Sequence, residues 1–414
     1  MQTFGRKSSL NTPAKAILAG VIALILCLNL GTTSNLATNV DDRFTVSSHK
    51  FAFKLYEQIR KQGTDKNTFV SPPSVMMALA MTYNGAGGET REEMARTLEI
   101  EGMSLDEANR AFADLKTALT PTDPQIQLKI ANSLWVRNGF SVKPAFISRN
   151  QKHYAAEITN LDFDDPSAPK TINSWVSKNT DNKIDKMVDR IDPLTVLFLI
   201  NATYFKGQWQ FEFKKENTKP DLFRPAGGDQ KQVPMMSQSG RFFYYKGKDF
   251  QSVALPYGTQ GSVSMYVFLP DEQTSLDQFE RNLTPENWDA WMKSFGLTPG
   301  DLMLPRFKIE WEAKLNDTLE ALGMRAAFDG ERADFSEITQ RKGLFISEVR
   351  HKTWGEVNEE GTVAAAATSV VGTFTSAQLP QQKFVMKVDR PFFFAIRDNR
   401  TGVVLFMGSV TNPG

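Results

Sequence analysis

Cysteine is almost missing from this chain. Its 414 residues contain one, Cys27, and that one lies in an apolar run near the N-terminus. Beyond the run there is no disulfide, no thiol nucleophile and no Cys-ligated metal site. A fold without disulfides must be held by its core, and 41% hydrophobic residues supply one. Histidine is scarce as well. His49, His153 and His351 lie far apart and form no H-x-x-x-H pair, so hydrolase and metal chemistry are thinly provided and no cofactor is called for. An excess of one charge is also lacking. Lys plus Arg number 48 against 47 Asp plus Glu, which gives no field to recruit nucleic acid or an anionic membrane. The Gly85-Ala-Gly-Gly88 stretch follows a helical pattern rather than a strand and lacks phosphate-loop spacing, which argues against nucleotide binding.

What is present begins with an export-like segment. Arg6, Lys7 and Lys15 precede the apolar run Ala16–Leu30, and small and polar residues follow. This describes a signal peptide over residues 1–37, cut between Thr33 and Ala37, and hence a secreted or periplasmic protein. The alternative is an N-terminal membrane anchor, although Asn29 interrupts the run short of the roughly 20 residues a span needs. Residues 38–414 then read as one α+β domain, because helical and strand patterns mix without a repeat or linker. Phe51, Leu55 and Ile59 mark a helix starting near Ser47, and Ser71-Pro-Pro-Ser74 opens a second. Thr90 with Glu93, and Ser104 with Glu107, have capping-box spacing for a third and fourth. Strands are expected at Ile126–Val136, Thr195–Phe205, Arg241–Tyr245, Ser252–Leu255, Val263–Leu269 and Leu302–Ile309. Helices are expected again at Ser275–Leu283 and around Leu315–Gly323.

One segment does not suit a packed protein. Thr362–Gln382 carries no charge, and four alanines, Ala364–Ala367, stand in a row. A buried Ala-rich helix and a disordered linker are two readings. A third uses a period of two, in which Thr362, Ala364, Ala366 and Thr368 share one small, uncharged face. Such a segment can slide between two strands without burying a charge, which is the expensive step.

Glu359-Glu-Gly-Thr-Val-Ala-Ala-Ala-Ala-Thr368 resembles the reactive-loop hinge of the serpins. Phe69-Val-Ser-Pro-Pro-Ser74, Asn201-Ala-Thr-Tyr-Phe-Lys-Gly-Gln-Trp209, Leu304-Pro-Arg-Phe307, Asp389-Arg-Pro-Phe-Phe-Phe394 and Phe406–Pro413 resemble further family motifs, in family order. The resemblance implies a single-domain fold with helices around a large mixed central sheet plus smaller sheets. It implies a reactive-centre loop over about 359–383, with hinge residues Glu359, Gly361, Thr362, Ala364, Ala365, Ala366, Ala367 and Thr368. Ser71, Ser74, Asn201 and His351 match polar residues beneath the point where the sheet opens. Trp209, and Arg306 paired with Glu359, match the place where the loop first goes in. A surface ion pair there would contribute only about 0–1 kcal/mol.

The implied activity is suicide inhibition of a serine-type protease, with a cysteine protease as a further possibility. The chain itself would not be an enzyme. Family spacing puts the attacked bond at Thr375–Ser376, which suits an elastase- or subtilisin-like pocket. One residue back, Phe374 would suit a chymotrypsin-like one. The alternative is a non-inhibitory serpin acting as a binding or storage protein, although such members usually carry bulky or charged hinge residues. Heparin is not expected as a partner, because the matching helix, Ser104–Leu119, offers only Arg110 and Lys116. No small-molecule substrate is implied, and a monomer is the expected form.

Overall fold

The computed structural model describes residues 1–2, 42–63, 66–362 and 383–414. The chain falls into two compact units, Met1–Asn39 and Val40–Gly414, and the architecture below is that of the second. The expected leader or anchor, beyond its first two residues, lies outside the described residues.

Nine α-helices are found among the described residues: α1 (Asp42–Lys61), α2 (Pro72–Tyr83), α3 (Gly88–Thr97), α4 (Leu105–Ala118), α5 (Pro144–Tyr154), α6 (Ala168–Asn179), α7 (Leu276–Glu280), α8 (Pro285–Met292) and α9 (Asn316–Ala321). Helix α1 begins at Asp42, several residues before the expected start, and buries Phe51, Ala52, Leu55, Tyr56 and Ile59 along one face. All of α2 is buried, as its apolar sequence without a polar face requires. The Ser104–Glu107 capping box forms in both directions.

The Thr90–Glu93 box does not form. Helix α3 starts at Gly88, and Thr90 Oγ1 accepts from the Asp334 N–H. The Glu93 carboxylate instead accepts from the N–H groups of Arg325 and Ala326. Capping spacing was satisfied, but a distant chain segment offered more buried donors.

The strands are β1 (Thr68–Val70), β2 (Ile126–Arg137), β3 (Glu157–Leu161), β4 (Leu197–Gln208), β5 (Lys219–Phe223), β6 (Lys231–Lys246), β7 (Phe250–Tyr257), β8 (Val263–Pro270), β9 (Gly296–Pro305), β10 (Phe307–Lys314), β11 (Glu348–Asn358), β12 (Gly361–Thr362), β13 (Phe384–Lys387), β14 (Phe392–Asp398) and β15 (Val404–Val410). One sheet has nine strands in the order β1-β15-β14-β8-β7-β6-β9-β13, with β5 along β6. The other has six, ordered β10-β11-β12-β4-β2-β3, and β11 also pairs with β4. The strand expected over Leu302–Ile309 is two strands. The chain leaves the nine-stranded sheet at Pro305 and joins the six-stranded one at Phe307.

Strand β4 explains its own continuous apolar run. Leu197, Leu199 and Phe205 face the main core, while Phe198, Ile200, Ala202 and Tyr204 face a second cluster with Ile172 and Val176 of α6. A strand covered on both sides has no solvent face to encode. It carries the site described next.

Candidate functional site

Strands β4 and β11 run parallel and pair from Phe198↔Glu348 to Tyr204↔Trp354. Beyond that point they separate, and β12 fills the gap, antiparallel to both. Thr362 stands opposite Val357 and Gly207, and Gly361 opposite Asn358 and Gln208. Glu359 and Glu360 form the reversing turn.

Only glycine suits position 361. Its φ is +146°, and a Cβ there would lie 2.1 Å from the Gly207 carbonyl oxygen, a contact no flexible side chain relieves.

The turn is fastened on every side. The Trp209 indole donates to the Asn358 carbonyl at 2.9 Å, and its backbone N–H donates to the Glu360 carbonyl at 2.9 Å. The Phe213 N–H donates to the Glu359 carbonyl at 2.9 Å. The Glu359 carboxylate accepts from Arg306 Nε at 2.8 Å, from Arg306 Nη2 and from the Thr218 hydroxyl. Burial raises its pKa, and the donors from Arg306 and Thr218 outweigh that, so the group stays below the ordinary glutamate value. Its side chain is 3% exposed and that of Arg306 43% exposed, so the pair is buried on the carboxylate side and open to solvent on the guanidinium side. Lys215 meets Glu360 alongside. Thr362 is itself buried, and its hydroxyl lies 2.7 Å from that of Tyr257. The Tyr257 ring stacks on Trp209 with centroids 4.4 Å apart and planes 13° apart.

Lower in the same seam lies a buried polar cluster. The Ser71 N–H donates to His351 Nε2 at 3.1 Å. That nitrogen is therefore the acceptor, and Nδ1 carries the proton that goes to Asn201 Oδ1. Burial pushes the His351 pKa down to about 3. A second ring proton would also face the Ser71 donor. The Asn201 amide donates to the Ser74 carbonyl, the Ser74 hydroxyl and Asn132 Oδ1. The Ser74 and Thr203 hydroxyls meet at 2.5 Å, Ser71 Oγ donates to the Leu405 carbonyl at 2.8 Å, and Thr353 Oγ1 donates to the Phe69 carbonyl. Both His351 nitrogens are engaged in a sealed site, which leaves no lone pair for a general base. Asn201, first residue of a glycosylation-type triplet, is 1% exposed.

The structure thus brings Ser71, Ser74, Asn201 and His351 into one cluster, and Trp209, Arg306 and Glu359 into another about the turn. Glu359, Gly361 and Thr362 were expected in an exposed loop and are buried, because β4 and β11 have already separated to admit them. Val363, Ala364–Ala367, Thr368, Phe374, Thr375 and Ser376 lie outside the described residues. Sequence reading missed Tyr257, Thr218 and Lys215 at the turn, and Asn132, Thr203 and Thr353 in the cluster. Thr203 lies inside the Asn201–Trp209 motif, and its place two residues from Asn201 on a strand was a usable signal. Nothing local marks the others.

The comparisons with known proteins agree with this geometry. The family model described as "Serpin (serine protease inhibitor)" matches residues 46–413. Leukocyte elastase inhibitor A of Rattus norvegicus is 36% identical over 383 residues, spanning 90% of this chain and 100% of that protein. The native structure of tengpin, a thermophilic serpin, superposes with a TM-score of 0.82 at 34% identity, covering 90% of this chain and 95% of that one. Human thyroxine-binding globulin, solved in complex with thyroxine, gives 0.82 at 28% identity over 89% of this chain and 98% of that one. The chain belongs to the serpin family.

Proposed function

We propose that this serpin is a suicide inhibitor of a serine protease with an elastase-, subtilisin- or chymotrypsin-like pocket. The observation that carries the reading is β12, the start of the loop seated as a strand between β4 and β11. The protease nucleophile attacks the Thr375 carbonyl, the Ser376 amine leaves, and Thr375 becomes the acyl group. The freed segment then continues the strand that β12 begins. Extending its register brings Ala364 level with Phe205 and Gly355, and Ala366 level with Thr203 and Thr353. Thr368 comes level with Asn201 and His351, and Val371 with Phe198 and Glu348, where the β4–β11 ladder ends.

Insertion therefore parts the His351–Asn201 hydrogen bond and delivers the Thr368 hydroxyl between them as a replacement partner. One parallel ladder becomes two antiparallel ones. About nine added residues at roughly 1 kcal/mol net per hydrogen bond give on the order of 10 kcal/mol, enough to drag the acylated protease and distort its oxyanion hole. The export-like leader supports action outside the cytoplasm, and the chain acts as a monomer.

Incubation with protease panels, read on denaturing gels and by mass spectrometry, tests this. A conjugate with a released fragment beginning at Ser376 is expected. A fragment beginning at Thr375 moves the bond to Phe374, and no conjugate with any serine or cysteine protease ends the inhibitory reading. The likeness to thyroxine-binding globulin favours the alternative, a non-inhibitory binding protein. That protein would not gain tens of degrees in melting temperature when nicked near residues 370–376, as a loop-inserting one does.

A further inference from the structure

We propose that the open face of the β6–β9–β13 corner is a docking surface for the body of the target protease, outside the loop that the protease cuts. This rests on the inhibitory reading above. Strand register assembles the face. Phe243 of β6 stands opposite Leu297 of β9, and Val385 of β13 stands opposite Asp301, four residues along β9 from Leu297. Residues two and four apart on a strand share a face, so these side chains all point the same way. The other face is closed, with Phe242 buried and Phe384 stacked on Tyr244 at 4.0 Å. On the open face Phe243 is 53% exposed, Leu297 47% and Val385 59%. Large apolar side chains left in water together on one sheet face mark an interaction site.

Covalent reach and charge select the occupant. Eight residues, Ser376 to Lys383, join the attacked bond to β13, and they span at most about 29 Å. A protease domain of roughly 200–250 residues has a radius of gyration of about 17 Å and is therefore about 45 Å across. With its cleft on that bond, its rim comes within reach of the face that begins at Val385. Asp301 is already engaged by the Ser239 hydroxyl at 2.6 Å and by Lys383 at 4.0 Å. Arg241, two residues from Phe243 on the same face, is exposed and makes no side-chain hydrogen bond or ion pair among the described residues. The surface that fits is a protease loop with an apolar side chain for Phe243 and Leu297 and a carboxylate for Arg241. An apolar centre with a charged rim is the usual anatomy of such contacts. Because this face and the reactive loop belong to one molecule, binding at both raises affinity for the protease without altering insertion.

The test uses the full chain and the protease of the panel above that forms conjugate fastest, prepared with its catalytic nucleophile changed to alanine so that docking is read without cleavage. Wild type is expected to bind it at least tenfold more tightly than a free peptide of residues 363–382. Phe243→Ser combined with Leu297→Ser removes most of that excess, and Arg241→Glu weakens binding severalfold, less so at high salt. Against the active protease the double variant inhibits at least tenfold more slowly. Its melting temperature and inhibition stoichiometry stay unchanged, because the substituted side chains lie outside the core. Wild-type affinity in the double variant, or a free peptide that binds as tightly as the full chain, overturns the proposal. So does a wild-type dimer that the double variant loses, which assigns the face to a second copy of this chain. No conjugate with any protease of the panel ends the inhibitory reading, and this proposal with it.

Discussion

At Thr362 a side chain of β12 sits inside the core. It is 1% exposed, so Thr362→Arg must either bury a guanidinium beside Tyr257 or push β12 out of the gap. Burying an unpaired charge costs several kcal/mol at least, and expulsion is the cheaper outcome. The variant is expected to be cleaved at the same bond but released as a substrate, with conjugate on denaturing gels falling at least tenfold. Unchanged conjugate yield would show that the first inserted position tolerates charge. Gly361→Ala tests the backbone at the neighbouring position. Its Cβ would meet the Gly207 carbonyl at 2.1 Å, so the same shift from trap to substrate is expected. At this scale the sequence was readable where a motif is contiguous, as in Asn201–Trp209, whose ends lie in the polar cluster and at the turn. It was silent on Tyr257, because Leu255-Pro-Tyr257 reads as an ordinary strand end. The partner that gives the tyrosine meaning is 105 residues away.

The elements show the same division. Strands with clear patterns, such as β2, β4 and β8, lie within a few residues of expectation. Boundaries set by three-dimensional competition do not, as the β9–β10 junction and the unmade Thr90 cap show. The two-residue strand β12 was illegible for a different reason, since two residues have no period. Its existence depends on β4 and β11 diverging after Tyr204 and Trp354. That divergence yields a prediction about faces. Extending the β12 register by one residue brings Val363 level with Lys206 and Glu356, both half-exposed. The next residue, Ala364, comes level with Gly355 and the fully buried Phe205. Val363→Glu is therefore expected to inhibit about as well as wild type, with Lys206 at hand for the new carboxylate. Ala364→Glu must carry its charge into the main core and is expected to turn the inhibitor into a substrate. Stoichiometry titrations against one inhibited protease separate the two. Equal loss in both variants would mean that the inserted strand does not keep this register.

For the whole molecule, family order and spacing disclosed the fold, but not which distant groups the fold would lock together in the dark of its core. Two of these give opposing pH dependences. Glu280, at the end of α7, accepts from the Tyr56 hydroxyl at 2.6 Å, and Tyr56 also meets Ser409 of β15 at 3.1 Å. Burial pushes the Glu280 carboxyl up to about 7, against an unfolded value near 4.5. Its contribution to stability is fully present below pH 4.5 and is lost as pH rises toward 7. His351 works the other way. Its folded pKa is about 3 against 6.5 unfolded, so its contribution is complete above pH 6.5 and is lost as pH falls toward 3. Between pH 4.5 and 6.5 the two slopes oppose, each about 1.4 kcal/mol per pH unit. Glu280→Gln keeps a neutral partner for Tyr56 and removes one slope. Its stability is expected to climb by about 1.4 kcal/mol per pH unit across that window relative to wild type. His351→Gln is expected to fall with pH by a similar amount, again relative to wild type. Urea midpoints of the intact proteins at pH 4.5, 5.5 and 6.5 measure both slopes. A Glu280→Gln profile parallel to wild type would show that the carboxylate is already ionised in the fold, with its charge met by Arg60 and Tyr56.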